Sequence, residues 1–374
     1  MNRAPGGRPP EAAPCARRSP PLSYHSPSSG RTADAAQGRL PAEEKSAGVE
    51  LRQRYEEDLY LVRGALGWTA LLAFAALLVL LPYLAPGYFL YTASLIAAHV
   101  VIAVGLNLLV GYTGQISLGH AGFVALGAYT AGILAARLHL PWPVAMAAGG
   151  VVAAFFGFLV GIPALRLTGP YLTIATLGFG IAVNQVLTNW DALSGGRSGL
   201  FLPKLAVAGV RLRDHHIYYL FAALAAALVW VAFNLARSHI GRAFVAIRDS
   251  DIAAEVMGVN LTVYKTLAFA VSAFYAGIGG AMLAYLLGFL EPQMFTLFES
   301  IYYFSMIVVG GLGTIPGSIL GAVVLTILPQ QLAGLKQYLP LVYGATIVFV
   351  MAVEPWGLYG RWLKVKLWFK TWPF

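Results

Sequence analysis

Long uncharged apolar runs, each close to 20 residues, follow one another through most of this chain of 374 residues. A helix needs about 20 apolar residues to cross the hydrocarbon core of a bilayer. Only 11% of the residues are charged and the mean hydropathy is +0.70, values typical of polytopic membrane proteins. We therefore predict membrane-spanning helices over residues 67–85, 88–110, 117–136, 142–165, 170–190, 217–236, 266–290 and 339–353.

A further run, residues 300–331, is uncharged but interrupted by glycines at 310, 311 and 313 and by Pro316. It forms either two short crossings or a re-entrant pair of half-helices, and both return the chain to the side that it left. The predicted fold is therefore all-α, a polytopic membrane protein with about eight to ten transmembrane helices. Both termini then lie on the same side of the membrane.

Basic residues orient the helices, because cytoplasmic loops collect Lys and Arg. If the N-terminus is inside, six of the 25 basic residues fall in outer segments, namely Arg137, Arg197, Lys204, Arg211, Arg213 and Lys336. The remaining majority predicts that both termini and residues 237–265 are cytoplasmic. Residues 191–216 are then outside.

Residues 1–60 are rich in Pro, Ser, Gly and Arg and have no apolar periodicity that could form a core. We interpret them as a disordered cytoplasmic tail and residues 61–374 as the transmembrane domain. Cys15, the only cysteine of the sequence, lies in this tail, so no internal disulfide is expected. The net charge of +9 is explained by basic residues near lipid headgroups, and we expect no nucleic-acid partner.

The apolar runs carry no Asp, Glu, Lys or Arg, and Glu354 borders the last of them. Ion-coupled carriers need ionisable groups near mid-membrane. His99 and His120 are the nearest candidates, although a lone intramembrane His more often forms an interhelical hydrogen bond. The sequence also contains no G-x-x-x-x-G-K-[ST] phosphate loop. We expect no cofactor and no metal site, and we expect energy for transport to come from a separate ATPase.

Residues 241–260 form a charged island between apolar runs. Ser250 is a suitable N-cap, Asp251 places negative charge in the first turn and Gly258 is a natural stop, which together predict a helix of about two turns. Its apolar residues share one face, which either docks a soluble partner or rests on lipid headgroups. We assign docking to Arg242, Arg248, Asp251, Ile252, Glu255, Val256, Met257 and Gly258.

The pattern V-G-x-x-G-x-I occurs twice, at residues 110–116 and 309–315. Duplicated halves are common in transporters, and chance similarity in a glycine-rich protein is the alternative. Under either explanation, the glycines allow a tight turn and a close approach of helices. The glycines of the two turns are Gly111, Gly114, Gly310, Gly311 and Gly313.

Four segments resemble the permease subunits of bacterial ATP-binding cassette (ABC) importers for branched-chain amino acids, a group that includes permeases for urea and short amides. These segments are GYTGQISLGHAGFVALGAY (111–129), GPYLTIATLGFG (169–180), residues 241–282 and VVGGLGTIPGSILGA (308–322). The resemblance implies a permease in the bacterial inner membrane whose loop 237–265 meets cytoplasmic ATPase subunits. It also implies a second, related permease subunit and an extracytoplasmic binding protein.

Polar residues beside the first glycine turn and on the fifth predicted span are candidates for the translocation pathway. The alternative role for each is an interhelical hydrogen bond. An energy-independent channel for small neutral solutes, or a membrane enzyme built around residues 214–216 (Asp-His-His), are the competing classes of function. The pathway candidates are Gln115, Ser117, His120, Thr173, Thr176, Asn184 and Gln185.

Overall fold

The computed structural model describes residues 87–371 apart from 166, 168, 204, 208, 209, 212, 332–337 and 355–356, together with residues 69, 80 and 82. Helices dominate because a chain in lipid must pair its backbone N–H and C=O groups within each segment. The helices are α1 (Gly87–Thr113), α2 (His120–Arg137), α3 (Trp142–Ala164), α4 (Pro170–Asn189), α5 (Asp191–Ser194), α6 (Asp214–Arg237), α7 (His239–Asp249), α8 (Asp251–Val256), α9 (Leu261–Leu287), α10 (Leu297–Gly310), α11 (Ile315–Gln331), α12 (Leu339–Val353) and α13 (Gly357–Thr371).

The predicted apolar runs from residue 88 onward each form a helix, and the run 300–331 forms two. Among the described residues, α1, α3, α4, α6 and α9 are long and apolar enough to cross a membrane. The prediction of an all-α polytopic membrane protein is therefore confirmed. The tail 1–60 and almost all of the run 67–85 lie outside the described residues. The number of crossings and the sidedness of the termini stay predictions.

Helices α1 and α9 form the centre of the bundle. In their most apolar stretches 83% and 78% of the residues are buried, against 22% in α4 and 17% in α6. Small residues allow the close packing around α9: a Cβ added to Gly127 of α2 would overlap the backbone of Gly277. The hydrophobic effect does not drive helices together in lipid, because lipid tails are as apolar as the side chains. Close van der Waals contact therefore stabilises the bundle.

Helices α10 and α11 form an antiparallel hairpin beside α1. The Tyr302 hydroxyl donates to the Leu325 carbonyl at 3.1 Å near the open end, and Gly310 approaches Gly317 near the turn. The hairpin extends along α1, because the Thr92 hydroxyl donates to Gln330 near one end of α1 and the turn packs against the other end. The chain thus returns to the end of the bundle where α10 begins, as predicted for residues 300–331.

At the end of the bundle where α10 begins, four short strands among the described residues form two antiparallel pairs in the connections between helices. β1 (Leu200–Phe201) pairs antiparallel with β4 (Phe289–Leu290), and β2 (Ala206–Val207) pairs with β3 (Val210–Arg211). The first pair fastens the α5–α6 connection to the C-terminal end of α9. These strands were not predicted, because two-residue strands carry no periodic signal.

Candidate translocation and partner-docking site

Two short helices, α7 and α8, form a ledge at the opposite end of the bundle. The Ser238 and Ser250 hydroxyls cap them by accepting hydrogen bonds from the N–H groups of Ile240 and Ala253, both at 3.2 Å. Gly258 adopts a positive φ of 86° just beyond α8, so the predicted helix start and stop at residues 250–258 are confirmed. Helix α7 was not predicted, although Ser238 is a standard cap signal.

Phe244 anchors the ledge to the bundle. Its side chain is fully buried in an apolar cluster with Leu109 of α1, Leu172 of α4 and Phe269 of α9. The aromatic side chain therefore belongs to an apolar cluster that includes residues of three long helices. Because core side chains are closely packed, this cluster fixes the position of α7 against the bundle.

The outer face of α8 is apolar and exposed. Ile252, Val256 and Met257 are 78%, 81% and 83% exposed, and Glu255 beside them is also exposed. Ala254 is the buried residue of α8. We call Ile252, Val256 and Met257 the ridge. Three neighbouring large apolar side chains on so short a helix form a patch typical of a contact surface.

Two charged residues of the predicted docking set point back into the bundle. The Arg248 Nη1 donates to the Gly111 carbonyl at 2.6 Å, across 137 residues of sequence. The Asp251 carboxylate accepts from Lys265 Nζ of α9, also at 2.6 Å, and the Lys265 side chain is 10% exposed. The prediction had grouped Arg248 and Asp251 with the ridge. The structure shows them as the attachments of the ledge, while Arg242 is exposed and donates to the Arg237 carbonyl at 3.3 Å.

The two predicted glycine turns lie against each other. The Asn107 side chain joins them, since its Nδ2 donates to the Thr314 carbonyl at 3.0 Å and its Oδ1 accepts from Gly313 N–H at 2.9 Å. A Cβ on Gly111 would overlap both Asn107 and the Gly313 backbone, so only glycine allows this approach. The turn residues that adopt a positive φ are Gly114, Gly311 and Gly313, and Gly310 approaches Gly317 of α11.

Residues 114–119 are non-helical and run between α1 and α2. Gln115 is 7% exposed, and Ser117 and His120 are fully buried. Gln115 Nε2 donates to the Thr113 hydroxyl, but Gln115 Oε1, Ser117 Oγ and both ring nitrogens of His120 meet no hydrogen-bond partner in the described part of the chain. The Ile102 carbonyl lies near the His120 ring without meeting hydrogen-bond geometry. Each such buried group costs about 1–3 kcal/mol, which a bound polar solute or water would offset.

The candidates on α4 are mostly held by the protein itself. The Thr176 hydroxyl donates to the Thr173 carbonyl at 3.0 Å and accepts from Leu118 N–H at 3.2 Å. The Asn184 Nδ2 donates to the carbonyls of Pro292 and Phe295, at 2.5 and 3.2 Å. The Thr176–Thr173 bond lies within α4, and the other contacts join α4 to residues of the connecting segments, so these side chains bond within the protein, as the alternative role supposed. Thr173 makes longer contacts of 3.4 Å, and Gln185 is exposed.

A cavity of about 190 Å³ lies between α2, α4 and α10. Leu118, Asn184, Gln185 and Ser300 are among the residues that line it. Ser300 also accepts from the Ala121 N–H at the start of α2, at 3.0 Å. The non-helical segment, the start of α2 and two of the α4 candidates therefore meet at one open space.

Four polar residues were missed from the sequence. Asn107 joins the glycine turns, Lys265 pairs with Asp251, Ser300 lines this cavity, and Glu299 lines a second cavity between α1, α9 and α10. Asn107 stood as a single amide in the apolar run 88–110, which is a recognisable interhelical signal. Lys265 and Glu299 were placed just outside the apolar runs, whereas α9 begins at Leu261 and α10 at Leu297. Helices thus extend beyond the uncharged runs and carry one charge each near an end.

His99 forms the hydrogen bond expected of a lone intramembrane histidine, with Nδ1 at 2.8 Å from the Thr326 hydroxyl. Residues 214–216, the competing enzyme site, are exposed at the start of α6. Among the described residues no group of three or more His, Cys, Asp or Glu is close enough to hold a metal ion.

The described helices define a multi-pass membrane protein. Residues 88–351 match the family described as branched-chain amino acid transport system permease component. The high-affinity branched-chain amino acid transport system permease proteins LivM of Salmonella typhimurium and Escherichia coli are each 33% identical over 313 residues, covering 77% of this chain and 74% of the relative. The corresponding LivH protein of Escherichia coli is 24% identical, covering 71% of this chain and 92% of that protein.

This chain belongs to the family of branched-chain amino acid transport system permease components. No solved structure matches it significantly.

Proposed function

We propose that this chain is the permease subunit of an ABC importer and forms a translocation pathway for branched-chain amino acids across the bacterial inner membrane. The observation that carries the proposal is the exposed ridge of Ile252, Val256 and Met257 on a ledge that is fastened to the bundle. The ridge provides an apolar contact surface for a soluble ATPase. The Arg248–Gly111 hydrogen bond and the Asp251–Lys265 ion pair connect that surface to the bundle, so conformational changes of the ATPase can be passed to the pathway. Family membership and the names of the relatives support this assignment.

The proposed coupling route runs from the ridge through Arg248 to the first glycine turn. The Arg248 hydrogen bond ends on the Gly111 carbonyl, close to the start of the non-helical segment 114–119. Gln115 and Ser117 of that segment, and His120 directly after it at the start of α2, carry polar atoms without a hydrogen-bond partner among the described residues. A shift of the ledge then moves the segment and changes which solute groups these atoms can bind. Phe244 adds a second connection, because it shares one apolar cluster with residues of α1, α4 and α9.

The proposed pathway follows the side of α4 that this chain leaves open. Only 22% of the apolar stretch of α4 is buried, and Gln185 and Asn189 are exposed on it. A second, related permease subunit covers this side in the proposed importer. A zwitterion can bind the free polar atoms of segment 114–119 and the helix ends, whereas a net charge would remain without a countercharge at a cost of several kcal/mol.

In this proposal residues 237–265 and both termini are cytoplasmic, and an extracytoplasmic binding protein delivers the solute to the other end of the bundle. Residues 1–60 form a cytoplasmic tail outside the translocation domain 61–374. A permease for urea or short amides would use the same uncharged lining. An energy-independent channel would not need the ridge.

Reconstitution tests the assignment. The chain, purified with its co-encoded neighbours and placed in proteoliposomes, should take up leucine only with ATP and the binding protein. Isoleucine and valine should compete more strongly than arginine, glutamate or urea. ATP-independent uptake would favour the channel, preferential competition by urea would favour the amide permease, and preference for a solute with net charge would exclude the proposed lining.

A further inference from the structure

A second cavity, of about 370 Å³, lies between α1, α9 and α10 at the end of the bundle away from the ledge. Its apolar wall includes Leu95 of α1 and Leu283 and Leu287 of α9. Leu287 is 22 residues along α9 from Lys265, which is about 33 Å at 1.5 Å per residue. The cavity therefore belongs to a different region from the ledge and its attachments.

One carboxylate faces this apolar space. Glu299, in the first turn of α10, lines the cavity, and its carboxylate forms no hydrogen bond or ion pair with any described residue. A carboxylate beside apolar side chains is unfavourable unless a cation or a donor meets it. The described residues provide no such cation or donor, so the space beside the Glu299 carboxylate is open to one from a ligand.

Aromatic rings complete the polar end of the cavity. Tyr303 lies 6.0 Å from His99, and Tyr302 packs edge-on against His99 at 5.5 Å between ring centroids. All three line the same space as Glu299. The faces of tyrosine rings attract an ammonium group, so carboxylate and rings favour the same ligand charge.

We propose that this cavity binds a primary ammonium group joined to a short branched apolar chain, with Glu299 as the counter-ion and Leu95, Leu283 and Leu287 around the apolar part. The site lies at the end of the bundle where, under the proposed function on which this inference rests, the solute arrives. A branched-chain amino acid carries this combination of groups. The ethanolamine headgroup of a lipid presents the same ammonium chemistry.

A carboxylate in the first turn of a helix is also stabilised by the helix dipole, without any ligand. Glu299→Asp separates the two roles, because aspartate keeps the charge at the start of α10 but withdraws it from the cavity by one methylene. A helix-end role predicts no effect of this variant on ligand binding. Ammonium binding predicts a loss in Glu299→Asp and a larger loss in Glu299→Gln.

The probe is 3-methylbutylamine, with 3-methylbutanol as its uncharged counterpart. Binding is measured by titration calorimetry on the full-length chain with its co-purifying subunits, in nanodiscs of phosphatidylcholine and phosphatidylglycerol, which contain no primary amine. We expect the amine to bind more tightly than the alcohol. Glu299→Gln should weaken amine binding about tenfold or more and leave the alcohol unchanged. Glu291→Gln, the same change outside the cavity lining, is the matched control.

Equal amine affinity in the wild type, Glu299→Gln and Glu299→Asp would overturn the proposal.

Repeating the measurement in nanodiscs that contain phosphatidylethanolamine distinguishes the two sources of the ammonium group, the amino acid and the lipid headgroup. If native mass spectrometry finds this lipid retained by the wild type and lost in Glu299→Gln, the site is supported with the headgroup as its ligand. A raised KM for leucine in Glu299→Gln, with unchanged ATPase co-purification, supports the solute instead. Failure of wild-type leucine uptake with intact amine binding would refute the proposed function and not this site.

Discussion

Charge placed on the ridge should separate the permease from its ATPase. Val256 is 81% exposed, so Val256→Asp should change the free energy of unfolding of the chain by less than about 0.5 kcal/mol. In a complex that buries Val256, the same change removes about 1.5 kcal/mol or more of apolar burial and adds a desolvated charge of similar or larger cost. A combined loss of about 3 kcal/mol weakens docking about a hundredfold.

Glu255→Arg distinguishes docking from a helix that rests on lipid. Glu255 is exposed beside the ridge, and a positive charge near anionic headgroups gains about 1 kcal/mol. A lipid-resting α8 would therefore tolerate or favour the variant. A partner surface that matches the negative charge of Glu255 would reject it, so we expect loss of ATPase co-purification and of uptake.

The assay compares the ratio of ATPase to permease in the purified complex, and leucine uptake in proteoliposomes, at matched membrane abundance of the permease. Glu291→Arg, the same charge reversal beyond the other end of α9, is the control and should retain both. Wild-type ratios and uptake in both Val256→Asp and Glu255→Arg would refute the assignment of the ridge as the docking surface.

Four further predictions concern the rest of the chain. Single cysteines at Ser198 and Ser250 of a Cys15-free variant should react with an impermeant thiol reagent from opposite sides of the membrane; reaction from one side would reverse the predicted topology. Arg248→Met should keep ATPase co-purification but lower uptake per ATP hydrolysed, because it removes a charge-assisted hydrogen bond worth about 1.5–3 kcal/mol between ledge and glycine turn; unchanged coupling would exclude that route. Gly127→Val should destabilise the bundle by about 3 kcal/mol or more, seen as a lower thermal midpoint in detergent, since its side chain meets the Gly277 backbone; an unchanged midpoint would contradict that contact. Deletion of residues 2–48 should leave uptake near normal at matched abundance, since this segment has no apolar surface to bury, and a large loss would assign the tail a role.

Sequence reasoning was most successful where the deciding interactions are local. The apolar runs predicted the helices because the hydrocarbon thickness demands about 20 residues and pairs the backbone within each segment. The caps of α8 at Ser250 and Gly258 were predictable because both act within a few residues of sequence. Helix α7 was missed although its signal is equally local, because its charged residues obscured the apolar positions of Phe244 and Ile247.

Roles of individual polar residues could not be predicted in this way. Thr176 and Asn184 looked like Gln115 and Ser117 in the sequence, as polar side chains among apolar ones. The structure gives the first two hydrogen-bond partners from other segments and leaves atoms of the other two without one. Whether a polar atom is satisfied depends on which distant backbone group packs beside it, and periodicity carries no such information.

The sequence by itself determined that this chain is a multi-pass membrane protein of the branched-chain permease family, because composition, run length and extended motifs are properties of the linear chain. Only the tertiary structure decided that Arg248 reaches Gly111 across 137 residues, that the two glycine turns meet through Asn107, and that Glu299 faces an apolar cavity. These contacts join segments whose approach is set by small-residue packing between helices. That packing is a property of the assembled bundle and of no single segment.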